Sequence, residues 1–279
     1  MKKLLITDLD NTLYDWVSFY AQSFEAMLNK LVEILGVPRY ELIEDFRKVH
    51  VKHGNSEYPY ATLQLDCVQR IFPLHSDKEL LLILDDAFHA FNSMRKKTLK
   101  CYPGVRETFI ELQKKGVKIV GHTEAPVRNA IYRLEKLDLI KYMKHLYAPQ
   151  DRYFEELNVS SKNWIASYGD FVFKLKENEK KPNPQLLRDI CDREGVSLKE
   201  ALYIGDSLVK DISMANGAGI DSVFASYGKQ HERKYWDILV SITHWSDYDV
   251  KREIELKNAY SLEKPRYKIE KFEDILKLL

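Results

Sequence analysis

Two aspartates separated by a single leucine, in Asp8-Leu9-Asp10-Asn11-Thr12, follow directly on the apolar run Leu4-Leu5-Ile6. Carboxylates so placed can both approach one reacting centre. Two further acids, Asp206 and Asp211, lie in Gly205-Asp206-Ser207-Leu208-Val209-Lys210-Asp211, while Thr123 offers a hydroxyl and Lys181, ahead of Pro182, an ammonium. A phosphoryl group is negatively charged, so a carboxylate can attack it in line only when a divalent cation and positive donors offset the repulsion. Carboxylate oxygens suit Mg²⁺, and a lysine brings a point charge to a phosphate oxygen. Phosphoryl transfer is the chemistry that such a set suits.

Each group needs an element to position it. Lys2 to Thr7 reads as a buried central strand that delivers Asp8 and Asp10 at its C-terminal end, where open parallel sheets bind their ligands. The run Val117 to Gly121 makes a second buried strand ending at Thr123, and Ala201 to Ile204 a third ending at Gly205-Asp206. Asp221 to Ala225 reads as one more strand. Between them lie an amphipathic helix through Phe109 and Leu112 stopped by Gly116, a helix Pro184 to Glu194 stopped by Gly195, and a helical stretch Lys210 to Asn216. From Trp16 to about Lys97 the period is helical, with breaks at Gly36-Val37-Pro38, Gly54-Asn55 and Phe72-Pro73. Helices alternating with short apolar strands predict an α/β fold: a doubly wound parallel sheet with a helical segment inserted after its first strand.

The order and setting of these groups resemble the haloacid dehalogenase superfamily, in its phosphatase branch with a helical cap inserted after the first motif. Asp8-Leu9-Asp10-Asn11-Thr12-Leu13 is similar to the first motif, the strand end at Thr123 to the second, Lys181-Pro182 to the third, and Gly205-Asp206-Ser207 through Asp211 to the fourth. Tyr102-Pro103-Gly104-Val105 resembles the return from the cap, and Asp211 through Ala215 with Ala218-Gly219 the helix after the last acids. The resemblance implies a Rossmann-like core made of 1–14 and 101–279, with a cap of 15–100. It also implies that Asp8 is the nucleophile and that Asp10 is the acid that protonates the leaving oxygen, then the base that activates water. Mg²⁺ would be held by Asp8, the backbone carbonyl of Asp10, Asp206 and, directly or through water, Asp211; Thr123 and Lys181 would bind the phosphoryl group. The dehalogenases of the superfamily lack an acid at the place of Asp10. Glu124 departs from the pattern, standing where many relatives carry Asn, and the stretch from Thr123 to Lys181 is long. Its excess falls within 149–179, which holds Phe154, Trp164, Tyr168, Phe171 and Phe173 and is expected to form a flap or an oligomer contact.

Other polar residues invite plainer readings. Ser207 lacks a Gly-x-Ser-x-Gly elbow and shapes its loop. His122 is expected to border the site without acting as a base, since Asp10 fills that role. Arg47, His50, Lys52 and His53 read as a solvated helix face, and Tyr14, Asp15 and Trp16, where the chain leaves the first motif, as the lining of a substrate entrance. For 231–266, which holds Trp236, Trp245, Tyr248 and Tyr260, three roles stand open: covering the sheet edge, contacting the cap or forming a dimer surface.

Across 279 residues, 43 lysines and arginines face 42 acids, a net charge of +1 that argues against a nucleic-acid or membrane-surface partner. A composition 45% hydrophobic and 30% charged is that of a globular protein with a sizeable core. Three widely spaced cysteines, Cys67, Cys101 and Cys191, fit neither a disulfide framework nor a zinc site. With no signal-like leader, a cytoplasmic location is expected. The expected partner is a small phosphorylated metabolite, with a homo-oligomer possible. The first motif, with Asn11, Leu13 and Tyr14, looks like that of some pyrimidine nucleotidases. Two rival readings remain at this level: a phosphomutase on the same core, and a binding protein that keeps the site and works through the aromatic stretch after Pro149.

Overall fold

A computed structural model describes the chain apart from residues 59, 177, 244–250, 252–254, 256–257 and 259–262. It divides into two compact units, Met1–Asp15 with Lys100–Gln230 and Leu256–Leu279, and Trp16–Leu99 with His231–Glu255.

The first unit is built on a parallel sheet. Its strands are β1 (Leu4–Thr7), β2 (Lys118–His122), β3 (His145–Pro149), β4 (Val172–Leu175), β5 (Ala201–Gly205), β6 (Asp221–Ala225) and β7 (Tyr267–Ile269), in the order β4-β3-β2-β1-β5-β6-β7. Both β1 and β5 are buried along their whole length, as expected of central strands covered on both faces. Leu4 and Ile6 pack into one cluster with Val120, Tyr203, Leu187 and Ile190. The strand order reverses at the β1/β5 pair, with Thr7 level with Ile204, and that is where the ligands of such sheets bind. The helix Pro184–Glu194 opens on Asn183, whose side chain accepts from the Leu186 amide, and closes on Gly195 in the left-handed region, φ 65°.

β1, β2, β5 and β6 lie where the apolar runs predict them. β3, β4 and β7 were not anticipated, for a local reason: β3 contains Pro149, and β4 and β7 are short edge strands with polar, half-exposed positions. The stretch 149–179, expected as a flap or oligomer contact, holds the helix Val159–Ala166 and then β4, which pairs with β3 from Leu146–Val172 to Pro149–Leu175. Its aromatics partly serve this edge: Phe173 stacks on Tyr147 with ring centres 5.0 Å apart.

The second unit is helical. Trp16–Leu35 packs against Asp85–Thr98 and Arg39–His53, with Phe24 and Phe46 edge to face at 4.8 Å. The breaks fall as expected, after Leu35 and at Gly54. The sequence reading put residues 231–255 in the core; here His231–Glu255 groups with the helical unit. The helix Arg233–Ile242 buries Leu239 and Ile242, and the buried His50 donates from Nδ1 to the Ile242 carbonyl at 2.7 Å. His50 is therefore an internal tie rather than part of a solvated face. Trp236 is half exposed on that helix, while Trp245, Tyr248 and Tyr260 lie outside the described residues. No described helix is long and apolar enough to cross a membrane.

Away from the strand ends that carry the acids, Glu194 joins three elements. Its buried carboxylate accepts from His145 at 2.5 Å, Tyr147 at 2.9 Å and Lys144 at 3.1 Å, and its backbone carbonyl accepts from Lys118. Burial works against the charge, but these donors outweigh it and hold the carboxyl below the ordinary glutamate range. Because the folded-state value is the lower one, this stabilisation is complete above the ordinary range and is lost as pH falls through the folded-state value. Glu194→Gln is expected to lower stability by about 1–3 kcal/mol at neutral pH. In urea denaturation the gap between wild type and variant should close as the solution is acidified.

Candidate active site

Register places the chemistry. β1 runs parallel between β2 and β5, so the segments leaving these three strands emerge side by side. Asp8 follows β1 directly, its amide donating to the Ile204 carbonyl at 2.9 Å. Asp206 follows β5. Leu208–Ile212 is a turn of π-helix, the wide turn often found at functional sites, and it carries Asp211 back toward Asp8. Ser207 starts that turn by accepting from the Lys210 amide, the loop-shaping role expected of it.

Asp8, Asp206 and Asp211 converge, with carboxylate oxygens all within 4.8 Å of one another. Lys181, 3% exposed, lies among them and donates to Asp8 at 2.5 Å and to Asp211 at 2.9 Å. Thr12 donates to the other Asp8 oxygen at 3.0 Å; Tyr203 and the Ser207 amide donate to Asp211 at 3.1 and 3.0 Å. Lys229 approaches Asp206 at 3.2 Å from a half-exposed position.

Burial pushes the Asp8 carboxyl well above the usual carboxylate range; Lys181 opposes the rise, while Asp211 and Asp206 add to it. Asp206 is raised in the same way, by burial first, with Lys229 opposing. For Lys181 burial disfavours the ammonium, but Asp211 and Asp8 overcome this and hold it protonated well above the ordinary lysine range. Three carboxylates with Lys181 buried among them and Lys229 at the edge of Asp206 are still one positive charge short. The donor set, hard oxygens at short mutual distance with a charge deficit, fits a divalent cation of the Mg²⁺ type.

Two close approaches leave no room for a side chain. A Cβ at Gly205 would lie 2.4 Å from the Asp211 carboxyl carbon, and one at Gly228 2.0 Å from the Asn11 carbonyl oxygen. Asn11 itself sits in the left-handed region at φ 58°, which turns the chain sharply after Asp10.

The Asp10 carboxylate has partners of its own, outside the acidic cluster. Its Oδ1 accepts from Tyr14 at 2.7 Å and from Arg133 at 2.9 Å. Tyr14, expected at a substrate entrance, is fully buried and spends its hydroxyl on Asp10; Trp16 stacks on Tyr20 and donates to Glu57. Thr123 continues β2 one residue beyond the level of Asp8; it is 2% exposed, and its hydroxyl oxygen accepts from the Ala125 amide. It does not cap the helix Val127–Lys136, which starts after Pro126. His122 is buried beside Tyr203, and burial and Lys181 hold its imidazole neutral, well below the ordinary histidine range.

Sequence reasoning missed four contributors: Tyr203, Glu124, Arg133 and the Tyr14 hydroxyl. Glu124 ties three motif segments, accepting from the Lys181 amide at 3.2 Å and from Lys210 at 2.9 Å. Its departure from the pattern was the available signal. Arg133 gave none, being one arginine within an amphipathic helix.

The chain is 29% identical over 233 residues to a phosphoglycolate phosphatase of Pseudomonas savastanoi pv. phaseolicola, covering 84% of this chain and 72% of that one. It is 27% identical over 235 residues to a glyceraldehyde 3-phosphate phosphatase of Methanopyrus kandleri, covering 83% and 87%. Among solved structures, a 2-haloacid dehalogenase from Pseudomonas syringae pv. tomato DC3000 has the same fold, with TM-score 0.55, 18% identity and coverage of 100% and 98%. A HAD phosphatase from Thermococcus onnurineus matches with TM-score 0.53, 18% identity and coverage of 100% and 97%. The profile of the haloacid dehalogenase-like hydrolases matches residues 2–219, most of the chain, and the protein belongs to that family.

Proposed function

We propose that this hydrolase is a Mg²⁺-dependent phosphatase that acts on a small phosphate monoester through a phosphoryl group carried on Asp8. The observation that carries the reading is the convergence of Asp8, Asp206 and Asp211 around the Lys181 ammonium. Asp8, Asp206 and Asp211, with the backbone carbonyl of Asp10, would hold Mg²⁺, which when bound supplies the positive charge that the cluster lacks and keeps Asp8 ionised.

The residues of the chain do the rest. An Asp8 oxygen attacks phosphorus; the bond from phosphorus to the ester oxygen breaks, and that oxygen takes a proton from Asp10. Asp10 then removes a proton from a water whose oxygen attacks phosphorus, breaking the bond to Asp8 and releasing inorganic phosphate. Lys181 remains ionised throughout and offers its charge to the phosphoryl oxygens, beside Thr123 at the neighbouring strand end. An acid at the place of Asp10 favours ester hydrolysis over dehalogenation, in which no leaving oxygen needs a proton.

Relatives named for phosphoglycolate and glyceraldehyde 3-phosphate put two- and three-carbon phosphate esters first in a substrate panel. The likeness of the first motif to pyrimidine nucleotidases adds nucleoside monophosphates. Phosphate release with Mg²⁺ is expected on at least one of these, and release of an isomerised sugar phosphate in its place would indicate a mutase. Asp8→Asn should lower turnover by more than about 1,000-fold while leaving the urea midpoint near that of wild type. Asp206→Asn should raise the Mg²⁺ concentration needed to protect the fold against urea. Unchanged turnover in Asp8→Asn contradicts the reading.

A further inference from the structure

The helix Val127–Lys136 presents Val127, Ala130, Ile131 and Leu134 to the core, and Arg133 lies on the same buried side. Arg133 is 1% exposed, among the largest fully buried side chains of the protein. An arginine cannot shed its charge, so taking it out of water is costly, and such pairs often add little or nothing to net stability. A solvent-facing position one step around the helix would have avoided the cost. The guanidinium instead spans 123 positions of sequence to donate to Asp10 Oδ1 at 2.9 Å. Tyr14, also fully buried, donates to the same oxygen at 2.7 Å.

We propose that Arg133 and Tyr14 are positioning residues that clamp Asp10 by its Oδ1, so that Oδ2 is the oxygen that hands a proton to the leaving group and later takes one from water. Two donors already aimed at Oδ1 leave no place for a proton there, and a proton carried by this carboxyl must sit on Oδ2. The clamp fixes the plane of the carboxyl relative to β1, because Tyr14 is held by a bridge to Cys101 and Arg133 by its helix. Neither residue needs to touch the substrate. The inference rests on the phosphatase reading and adds to it the residues that aim the acid.

The test compares kcat/KM on two esters for wild type, Arg133→Met and Tyr14→Phe. One is an alkyl phosphate that the wild type hydrolyses, whose alkoxide cannot leave unprotonated; the other is p-nitrophenyl phosphate, whose phenolate can. kcat/KM reports transfer to Asp8, before the water step that both esters share. Loss of the clamp is expected to lower the alkyl value by about 100-fold and the aryl value by less than about tenfold in Arg133→Met. Tyr14→Phe should show the same split at smaller size, and it serves alone if Arg133→Met does not fold. Equal losses on the two esters would assign the residues to stability, and no loss on either would remove the clamp; both overturn the proposal. A wild type inactive on both esters, or an Asp8→Asn variant that keeps its activity, overturns the phosphatase reading itself, and the clamp falls with it.

Discussion

One buried ammonium among three carboxylates sets the terms for the rest of this structure. Lys181 bonds to Asp8 and Asp211 in a place where water is largely excluded, and Asp206 completes the acidic group. Burying charge is costly unless it is paired, and here pairing is incomplete. The deficit suits the site to a divalent cation, whose charge would in turn offset the repulsion between Asp8 and a phosphoryl group. Removing the ammonium alone would leave Asp8 and Asp211 buried without their cation, which is strongly destabilising.

The surrounding elements make sense as means of holding that arrangement. Central parallel strands deliver Asp8 and Asp206 side by side, and a turn of π-helix brings Asp211 back within reach of Lys181. Two glycines permit contacts that any side chain would block. Glu124 fastens the Lys181 segment and Lys210 to the end of β2, so segments distant in sequence share one carboxylate. The helical unit is organised on its own terms, with His50 binding Arg233–Ile242 to the helices near the start of the chain.

Legibility followed the kind of signal each residue leaves. Asp8, Asp206 and Thr123 end apolar runs, and a strand end is visible in sequence as a change from apolar to polar. Lys181 was marked only by the following proline, yet it lies at the centre of the cluster. Arg133 and the Tyr14 hydroxyl were invisible because their significance comes from a tertiary approach across the core, and no spacing rule records it. β4 and β7 escaped for a related reason: short, half-exposed edge strands lack both the continuous apolar run and the clean alternation that identify longer ones. The helix Arg233–Ile242 joins the helical unit through contacts to Trp16–Leu35 and Arg39–His53, among them the bond from His50, again a long-range fact.

The central claim is that the Asp8 carboxylate itself accepts the phosphoryl group. Rapid quenching of the enzyme during turnover, borohydride reduction of the acyl phosphate and peptide mass spectrometry test it directly. Reduction should convert position 8, and no other aspartate, to homoserine, and only when substrate and Mg²⁺ are both present. Intact aspartate at position 8 under conditions of steady turnover, with homoserine at a different aspartate, would contradict the account.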